Sequence, residues 1–304
     1  MFRVNQIPIQ DTFAEAFPMT AARVVVTALE PCWAEAAAQA AIGFASSVIG
    51  CDCEAGIERL LTPDETPDGR PGVALLFFAF NREALQKALL ARIGQCILTC
   101  PTTACYNGLE APAERCLSVG GLLRYFGDGW QISKWLAGRR LWRIPVMDGE
   151  FLCEESFGTV KGVAGGNFLL LGREVRSTLE AARAAYEAIA PLPGVLSPFP
   201  AGIVRSGSKV GSRYPKLKAS TNEAYCPTLR PVVPSQLPPE VGCVYEIVLD
   251  GLDQAAVEAG MRAGIRAACR PGVVQITAGN YGGKLGPIHL HLHTLLREYA
   301  DAPL

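Results

Sequence analysis

Pro200-Ala-Gly-Ile-Val-Arg-Ser-Gly-Ser-Lys-Val-Gly-Ser212 is matched further along the chain by a similar stretch, Thr277-Ala-Gly-Asn-Tyr-Gly-Gly-Lys-Leu-Gly286. In both places a helical segment and a Pro-Gly-Val turn lead through a short apolar run to a glycine-rich loop with one lysine, Lys209 or Lys284. Backbone amides in such loops can approach a ligand without interference from Cβ atoms. The similarity predicts that the chain repeats a strand-helix-strand unit, which constrains the fold.

The second half of the chain contains two such units. Apolar runs of strand length predict strands at 166–171, from Val195 onward, at 244–249 and at 273–277. Helical spacing of Ala and Leu predicts one helix over 176–190 and a second from an N-cap at Asp253 to Ala268. The order is strand, helix, strand, twice over.

The first half repeats this scheme more loosely. We predict strands at 23–27, 46–49, 73–78 and 96–99, with helices over 33–42 and 82–93. Two strand-helix-strand units in one sheet form the ferredoxin-like arrangement. The sequence therefore predicts an α+β protein of two ferredoxin-like (βαββαβ) lobes, 1–148 and 149–304, joined near Asp148.

Composition narrows the functional classes. The chain has 304 residues, of which 49% are hydrophobic, and 28 basic against 29 acidic residues leave a net charge of -1. Since no basic stripe is present, nucleic-acid binding is not expected. The sequence has no apolar run long enough for a membrane span and no signal-peptide core at its N-terminus, so we expect a cytoplasmic protein.

Cysteines and histidines do not form a metal-site pattern. The eleven cysteines lack the paired C-x-x-C spacing of structural zinc sites, which favours buried thiols. The three histidines stand together in His289-Leu-His-Leu-His293, where strand alternation would place all of them on one face. Because no Asp, Glu or Cys lies within a few residues to complete a site, the sequence predicts no metal.

Glu246 is an unusual residue within an apolar strand. It stands in Cys243-Val-Tyr-Glu-Ile-Val-Leu249, on the same face as Val244 and Val248. In a central strand the carboxyl would be desolvated, and a raised pKa would suit a group that gives and takes a proton near neutrality. Spacing alone leaves a second reading open, in which Glu246 pairs with an arginine or faces water at a sheet edge.

Polar loops supply candidate ligand-binding side chains. Residues 219–228 combine hydroxyls, an amide and a phenol in a stretch suited to holding a polar heteroaromatic ligand. Gly165-Gly166 matches neither a phosphate-binding loop nor the dinucleotide fingerprint, so no nucleotide cofactor is expected.

Motifs along nearly the whole chain resemble the formylmethanofuran:tetrahydromethanopterin formyltransferase family. The near-neutral charge makes the chain more similar to the bacterial branch of that family. The motifs that carry the resemblance are Asp11-Thr-Phe-Ala-Glu-Ala-Phe17, Cys53-Glu-Ala-Gly-Ile57, Glu65-Thr-Pro-Asp-Gly-Arg-Pro-Gly72, Arg92-Ile-Gly-Gln-Cys96, Gly162-Val-Ala-Gly-Gly-Asn-Phe168, Ser208-Lys-Val-Gly-Ser212, Ser220-Thr-Asn222, Tyr225-Cys-Pro-Thr228 and Gly282-Gly-Lys-Leu-Gly286.

The resemblance implies formyl transfer between a methanofuran-type amine and tetrahydromethanopterin, which serve as carrier substrates, through a tetrahedral intermediate. It also implies two ferredoxin-like lobes, a homotetramer and, in the bacterial branch, assembly with a formylmethanofuran hydrolase complex. The family's strand glutamate matches Glu246, which would be the general acid/base. The residues that would bind the substrates are Lys209, Ser220, Thr221, Asn222, Tyr225, Asn280 and Lys284.

Roles within that set differ. Ser220, Thr221 and Asn222 are candidates for holding the oxyanion, whereas Lys209 and Lys284 could either meet anionic coenzyme tails or remain solvated. Two other classes of function stay open: a catalytically silent structural subunit of the hydrolase complex, and a ligand-sensing module. The presence of Glu246 weighs against the first, and the number of polar loops weighs against the second.

Overall fold

The computed structural model of the protein describes residues 2–136 and 138–297. Its strands are β1 (Arg3–Val4), β2 (Ile7–Pro8), β3 (Phe13–Thr27), β4 (Glu54–Leu61), β5 (Gly72–Ala79), β6 (Ala104–Asn107), β7 (Cys116–Ser118), β8 (Ile132–Leu136), β9 (Arg139–Val146), β10 (Gly149–Glu154), β11 (Ser156–Gly158), β12 (Val160–Gly172), β13 (Val195–Leu196), β14 (Ser208–Val210), β15 (Ala219–Thr221), β16 (Cys243–Gly251), β17 (Val273–Thr277) and β18 (Ile288–His291). Its α-helices are α1 (Pro31–Ile42), α2 (Arg82–Arg92), α3 (Gly120–Leu123), α4 (Val175–Ile189), α5 (Gln254–Ala268) and α6 (Leu292–Leu296).

The chain forms two compact units. One is Pro18–Gly162, and the other joins the residues up to Phe17 with those from Val163 onward. These units differ from the predicted lobes 1–148 and 149–304, because their boundaries fall inside the long strands β3 and β12. The lobe boundary near Asp148 stays a prediction.

The Pro18–Gly162 unit is a mixed α/β structure. Its sheet has the order β4-β5-β3-β6-β10-β9-β8, in which β6 and β10 run parallel and the other neighbours antiparallel. Along the chain, β3, α1, β4, β5, α2 and β6 form two strand-helix-strand units whose four strands are adjacent in the sheet. The core lies between this sheet and helices α1 and α2, with Phe77 and Leu89 among the fully buried side chains.

The second unit has the same strand order. The elements β12, α4, β13, β16, α5 and β17 follow one another in the chain, and the sheet order is β13-β16-β12-β17 with antiparallel neighbours. Helices α4 and α5 bury one face of this sheet, where Phe168 and Ile247 lie in the core. The predicted cap of α5 is confirmed, since the Asp253 carboxylate accepts a hydrogen bond from the amide of Ala256.

The face of this sheet without helices is covered by the connection between β13 and β16. Leu237 and Val241 in this connection pack on Leu169 and Leu171 of β12. This covering segment, residues 197–242, contains the hairpin β14–β15 and the first of the two similar glycine-rich stretches. A region with little regular structure therefore covers one sheet face from within the same unit.

Two predicted strands are wrong. Residues 46–49 lie in turns, and the strand of that unit is β4. Residues 96–99 follow α2 in a π-helical turn, Ile93–Ile97, in which the Leu98 amide donates to the Ile93 carbonyl. The cause is the four-residue spacing of Leu85, Leu89, Ile93 and Ile97, which keeps the helical stripe buried beyond the end of α2. The strand that returns from this helix is β6.

The histidine segment also differs from its prediction. His289 and His291 lie on β18, but the strand ends there and His293 belongs to α6. The Nε2 atom of His293 lies 2.9 Å from the Ile9 carbonyl oxygen, and its ring packs against Phe2. The three imidazoles therefore do not share one strand face.

No helix in the two described ranges combines the length and the apolar content that a membrane span requires.

Candidate active site

Glu246 lies near the middle of β16, on the sheet face that carries no helix. Its partner on β12 is Leu169, and residues paired in this way point their side chains to the same side of a sheet. On the other strand edge, Val204 and Glu246 exchange backbone hydrogen bonds of 2.8 and 3.0 Å. Val204 therefore brings the start of the first glycine-rich loop next to the carboxylate.

A cavity of about 70 Å³ lies beside Glu246. Its walls come from β12, β16, the covering segment and the loop after β17. The lining residues are Asn167, Leu169, Val204, Arg205, Ser206, Gly207, Ser208, Asn222, Tyr225, Cys226, Val244, Glu246, Gly279 and Tyr281. The carboxylate is the one acidic group in this lining.

Burial raises the pKa of Glu246 to about 7, and burial is its sole cause. The side chain is partly exposed because it faces the cavity, yet the surrounding protein excludes enough water to disfavour its charged form. The predicted alternative, a glutamate paired with an arginine, is not observed among the described ion pairs. A carboxyl with this pKa can take and return a proton near neutral pH.

A second cavity of about 370 Å³ shares Asn222, Tyr225 and Tyr281 with the first. Its other lining residues are Gln10, Thr12, Lys209, Val210, Gln236, Thr277, Ala278 and Asn280. Its volume is within the range of about 300–1,000 Å³ that organic ligands occupy. The lining is mainly polar, so this space suits a ligand with several hydrogen-bonding groups.

The two glycine-rich stretches meet at these cavities. The first supplies Arg205 to Ser208, and the second supplies Gly279 to Tyr281. The Tyr281 hydroxyl donates a 2.9 Å hydrogen bond to the Ser208 carbonyl and so joins the two loops. The similarity seen in the sequence therefore corresponds to two loops that follow equivalent strands, β13 and β17, and line one region.

The structure brings five of the eight predicted site residues together. Glu246, Asn222 and Tyr225 line the smaller cavity, and Lys209 and Asn280 join Asn222 and Tyr225 in the larger one. Lys209 forms an ion pair with Glu223. Asn280 donates to the Thr12 hydroxyl and the Phe13 carbonyl, at 2.9 and 3.1 Å.

The other three predicted residues lie outside both linings. The Ser220 hydroxyl donates to the Gly211 carbonyl at 2.8 Å, within the β14–β15 hairpin. Thr221 and Lys284 are exposed. In this structure none of the three lines the space next to Glu246.

Sequence reasoning did not single out Asn167 and Tyr281. Asn167 donates to the Gly279 carbonyl at 3.1 Å and accepts from the Gly279 amide at 2.6 Å, so it holds the loop after β17 against β12. Tyr281 lines both cavities. Strand alternation could have found Asn167, since it shares a face with Leu169 and lies diagonally from Glu246, whereas nothing in the sequence marks Tyr281.

No three His, Cys, Asp or Glu side chains within residues 2–136 and 138–297 converge as metal ligands would. His289 and His291 pack beside Phe13 instead. The prediction that the protein uses no metal stays a prediction.

A desolvated carboxylate beside a polar cavity is an arrangement typical of enzymes that transfer protons while they hold an organic ligand. The chain belongs to the formylmethanofuran-tetrahydromethanopterin formyltransferase family: residues 2–146 match the model of that family and residues 149–295 match the model of its proximal lobe. It is therefore a formyltransferase.

The relatives match over nearly their whole length. The formylmethanofuran–tetrahydromethanopterin formyltransferase of Methylococcus capsulatus is 55% identical over 96% of this chain and 99% of its own. A component of the formyltransferase/hydrolase complex of Methylorubrum extorquens is 54% identical over 98% of this chain and 99% of its own.

Two solved structures share the fold. The formyltransferase/hydrolase complex of Methylorubrum extorquens with methylofuran contains a chain that matches with a TM-score of 0.94 and 54% identity, covering 97% of this chain and 98% of that one. The Methanosarcina barkeri formyltransferase matches with a TM-score of 0.91 and 51% identity, over 96% of this chain and 99% of that one. Both support the mixed α/β fold described above.

Proposed function

We propose that this protein moves a formyl group between a methanofuran-type amine and tetrahydromethanopterin, with Glu246 as general acid/base. The carrier substrates are those named for its relatives. The observation that carries the role of Glu246 is the desolvated carboxyl, with a pKa of about 7, at a cavity next to a larger polar one.

The reaction needs one proton to leave and one to arrive. The amine nitrogen of the acceptor attacks the formyl carbon, a C–N bond forms, and the carbonyl electron pair moves to oxygen. The ionised Glu246 takes the proton that the attacking nitrogen must lose. It then returns this proton to the leaving nitrogen as the original C–N bond breaks and the carbonyl re-forms. A single carboxyl whose pKa lies near the working pH suits both steps.

The negative oxygen of the tetrahedral intermediate needs a hydrogen-bond donor. Asn222 is the best placed of the predicted candidates, because it lines both cavities and its side-chain amide has no partner in the described part of the chain. Ser220, whose hydroxyl is engaged by the Gly211 carbonyl, and the exposed Thr221 are weaker candidates in this conformation.

The larger cavity is proposed to hold the pterin ring. Tyr225 and Asn280 line it with a phenol, which donates to Gln236, and with an amide that is held by Thr12 and Phe13. Lys209 lies at the same wall, paired with Glu223, and would meet an anionic tail by exchanging this partner. Lys284 would serve an anionic tail from outside the cavity. These assignments rest on the chemistry of the lining and on the resemblance of the motifs.

Two lobes of ferredoxin-like fold, 1–148 and 149–304, are proposed as the architecture. Support comes from the shared βαββαβ connectivity and from the equivalent strand orders β4-β5-β3-β6 and β13-β16-β12-β17. One family model ends at residue 146 and the other begins at residue 149, which supports this division.

A cytoplasmic homotetramer that joins a formylmethanofuran hydrolase complex is proposed as the working form. The Methylorubrum relative, which is named as a component of a formyltransferase/hydrolase complex, supports the partner. A silent structural subunit is the less favoured function, because a chain without a catalytic role would gain nothing from a desolvated Glu246 beside a cavity.

The test is to incubate the purified chain alone with formyl-tetrahydromethanopterin and a furan amine, with and without a chelator. We expect formylation of the amine in both cases, because the predicted mechanism uses no metal. Folded protein that transfers no formyl group would contradict the proposed function and favour the structural alternative. Activity lost on chelation and restored by zinc would return His289, His291 and His293 to consideration.

A further inference from the structure

Glu15 is a buried carboxylate that interacts with the backbone of a single loop. Its residue is 2% exposed, although it stands on β3 far from the loop in sequence. One carboxylate oxygen accepts hydrogen bonds from the amides of Tyr281, at 2.7 Å, and Gly283. The other accepts from Leu285 at 2.7 Å and Gly286 at 3.3 Å.

Asn167 and Asn280 hold the start of the loop, but four of its backbone amides from Tyr281 to Gly286 converge on this carboxylate. Gly282 and Gly283 have φ angles of 70° and 78°, in the left-handed region that glycine enters readily, and such a pair allows many alternative conformations. Successive amides that converge on one anion form a concave binding site, which orders the backbone. The same anion is stabilised in return: burial alone would raise the pKa of Glu15, but the four amides outweigh burial and lower it.

The outer side of this ordered loop is part of the candidate active site. Gly279 lies beside Glu246, Asn280 lines the larger cavity, and Tyr281 lines both. Burial raises the pKa of the Tyr281 phenol, as do the charges of Glu246 and Glu15, so this ring lies within electrostatic reach of both carboxyls. The position of Tyr281 thus depends on a loop that Glu15 orders.

We propose that Glu15 is a positioning residue for formyl transfer, which fixes the loop after β17 and thereby holds Tyr281 as a wall of both cavities. This inference rests on the proposed function of the Glu246 cavity. Glu15 acts through Tyr281 and touches no reacting atom.

Glu15→Gln is the direct test. The amide keeps the size of the side chain but replaces one acceptor oxygen with an NH₂ group, which faces two amide donors instead of accepting from them. We expect faster hydrogen exchange of the amides in 281–286 and a loss of about 10- to 100-fold in kcat/KM, the scale of a misplaced substrate-positioning group. Most of the loss should come from a higher KM for the pterin coenzyme.

Glu58→Gln is the matched control, since Glu58 is also a buried glutamate but pairs with Arg23 in the other unit. It should lower stability without changing KM. A double-mutant cycle with Tyr281→Ala adds a readout that a merely structural role would not move. If Glu15 works through Tyr281, Glu15→Gln should have little further effect on KM once the ring is absent.

Gly283→Ala is the second variant, which tests the same loop if Glu15→Gln fails to fold. It strains a residue at φ 78° while the carboxylate stays intact, and it should raise KM in the same way. Loop exchange as slow as in the wild type, a wild-type KM, or additive effects in the cycle would overturn the inference. Hydrogen exchange of the loop amides is measured without any coenzyme. An inactive wild-type protein would therefore contradict the proposed function, whereas the exchange rates would still test whether Glu15 orders the loop.

Discussion

Glu246 and Glu15 are two desolvated carboxylates with opposite electrostatics. Among the residues that the structure describes, none donates a hydrogen bond to the Glu246 carboxylate, and burial raises its pKa to about 7. Glu15 is also desolvated, but four backbone amides favour its charged form and the pKa falls. One carboxyl is therefore prepared to exchange a proton, whereas the other is prepared to stay ionised and hold a loop.

Glu246→Gln should keep the fold and lower the rate of formyl transfer by about two to four orders of magnitude, the range for loss of a general acid/base. The wild-type rate should change with pH around 7, and the variant should lose this dependence. Steady-state kinetics between pH 5 and 9 provide the measurement, with the exposed Glu187→Gln as control. Near-normal turnover of Glu246→Gln from pH 6 to 8 would mean that the carboxylate is structural.

Stability should depend on pH through the same residue. The folded pKa of about 7 lies above the ordinary value of 4.5, so between these values the folded state keeps a proton that the unfolded state has released. The contribution of Glu246 to stability therefore falls as pH rises through this window and is lowest above pH 7.

Glu246→Gln removes the free-energy cost of ionising this desolvated carboxyl in the folded protein. At pH 8 the variant should therefore be more stable than the wild type by on the order of 1–3 kcal/mol. At pH 4.5 the difference should be much smaller. Urea unfolding at both values measures it, and a variant that is less stable than the wild type at pH 8 would show that the carboxylate is not desolvated in solution.

At this scale the sequence predicts residues within one element better than contacts between elements. A charge inside an apolar strand is visible locally, so strand alternation marked Glu246 as unusual, but its assignment as general acid/base came from the family resemblance. Glu15 and Tyr281 are 266 positions apart, and no local pattern reports their hydrogen bond. The motif 11–17 contributed to the family resemblance without indicating which of its residues is buried.

At the scale of elements, helices with regular apolar spacing were predicted well. Helices α1, α2, α4 and α5 lie within one or two residues of their predicted positions. The strands at 46–49 and 96–99 were wrong, because a short apolar run has the same composition in a strand, a turn or a π-helical extension. The true partners β4 and β6 are set by pairing across the sheet, which a local window does not contain.

The cap of α5 gives a prediction for a single element. Asp253→Ala removes the carboxylate that accepts from the Ala256 amide at 2.8 Å and should cost about 0.5–2 kcal/mol of unfolding free energy. Asn81→Ala, which removes the equivalent cap of α2, is the companion variant. Denaturant unfolding should report both losses, with kcat per folded molecule unchanged. A fall in kcat for Asp253→Ala alone would mean that α5 transmits strain to the candidate site.

At the scale of the whole molecule, the two units share one strand order, and the candidate active site lies in the second unit. Each unit has a βαββαβ core, and in the second a long covering segment lies over the face without helices. Both described cavities lie under that segment and the loop after β17. The Pro18–Gly162 unit instead extends its sheet with β10, β9 and β8.

The edge of that extended sheet is where we expect subunits to meet. All five residues of β8 are exposed, and large apolar side chains are concentrated in and just before it: Trp135 is 68% and Trp130 is 79% exposed. An edge strand with exposed aromatic side chains is prone to pair with another chain unless it is covered. We therefore predict that β8 lies in a subunit contact of the proposed homotetramer, with interfaces above about 1,000 Å² each.

Light scattering at micromolar concentration tests this contact. The Trp135→Lys variant should have a lower mass than the wild-type protein, because assembly would bury the lysine charge without a partner. Leu60→Lys on β4, at the opposite edge of the same sheet, is the matched control and should leave the mass unchanged, since Leu60 is likewise exposed and next to Arg59. A wild-type protein that is a fully active monomer would contradict the tetramer, and a Trp135→Lys variant of unchanged mass would exclude β8 from the interface.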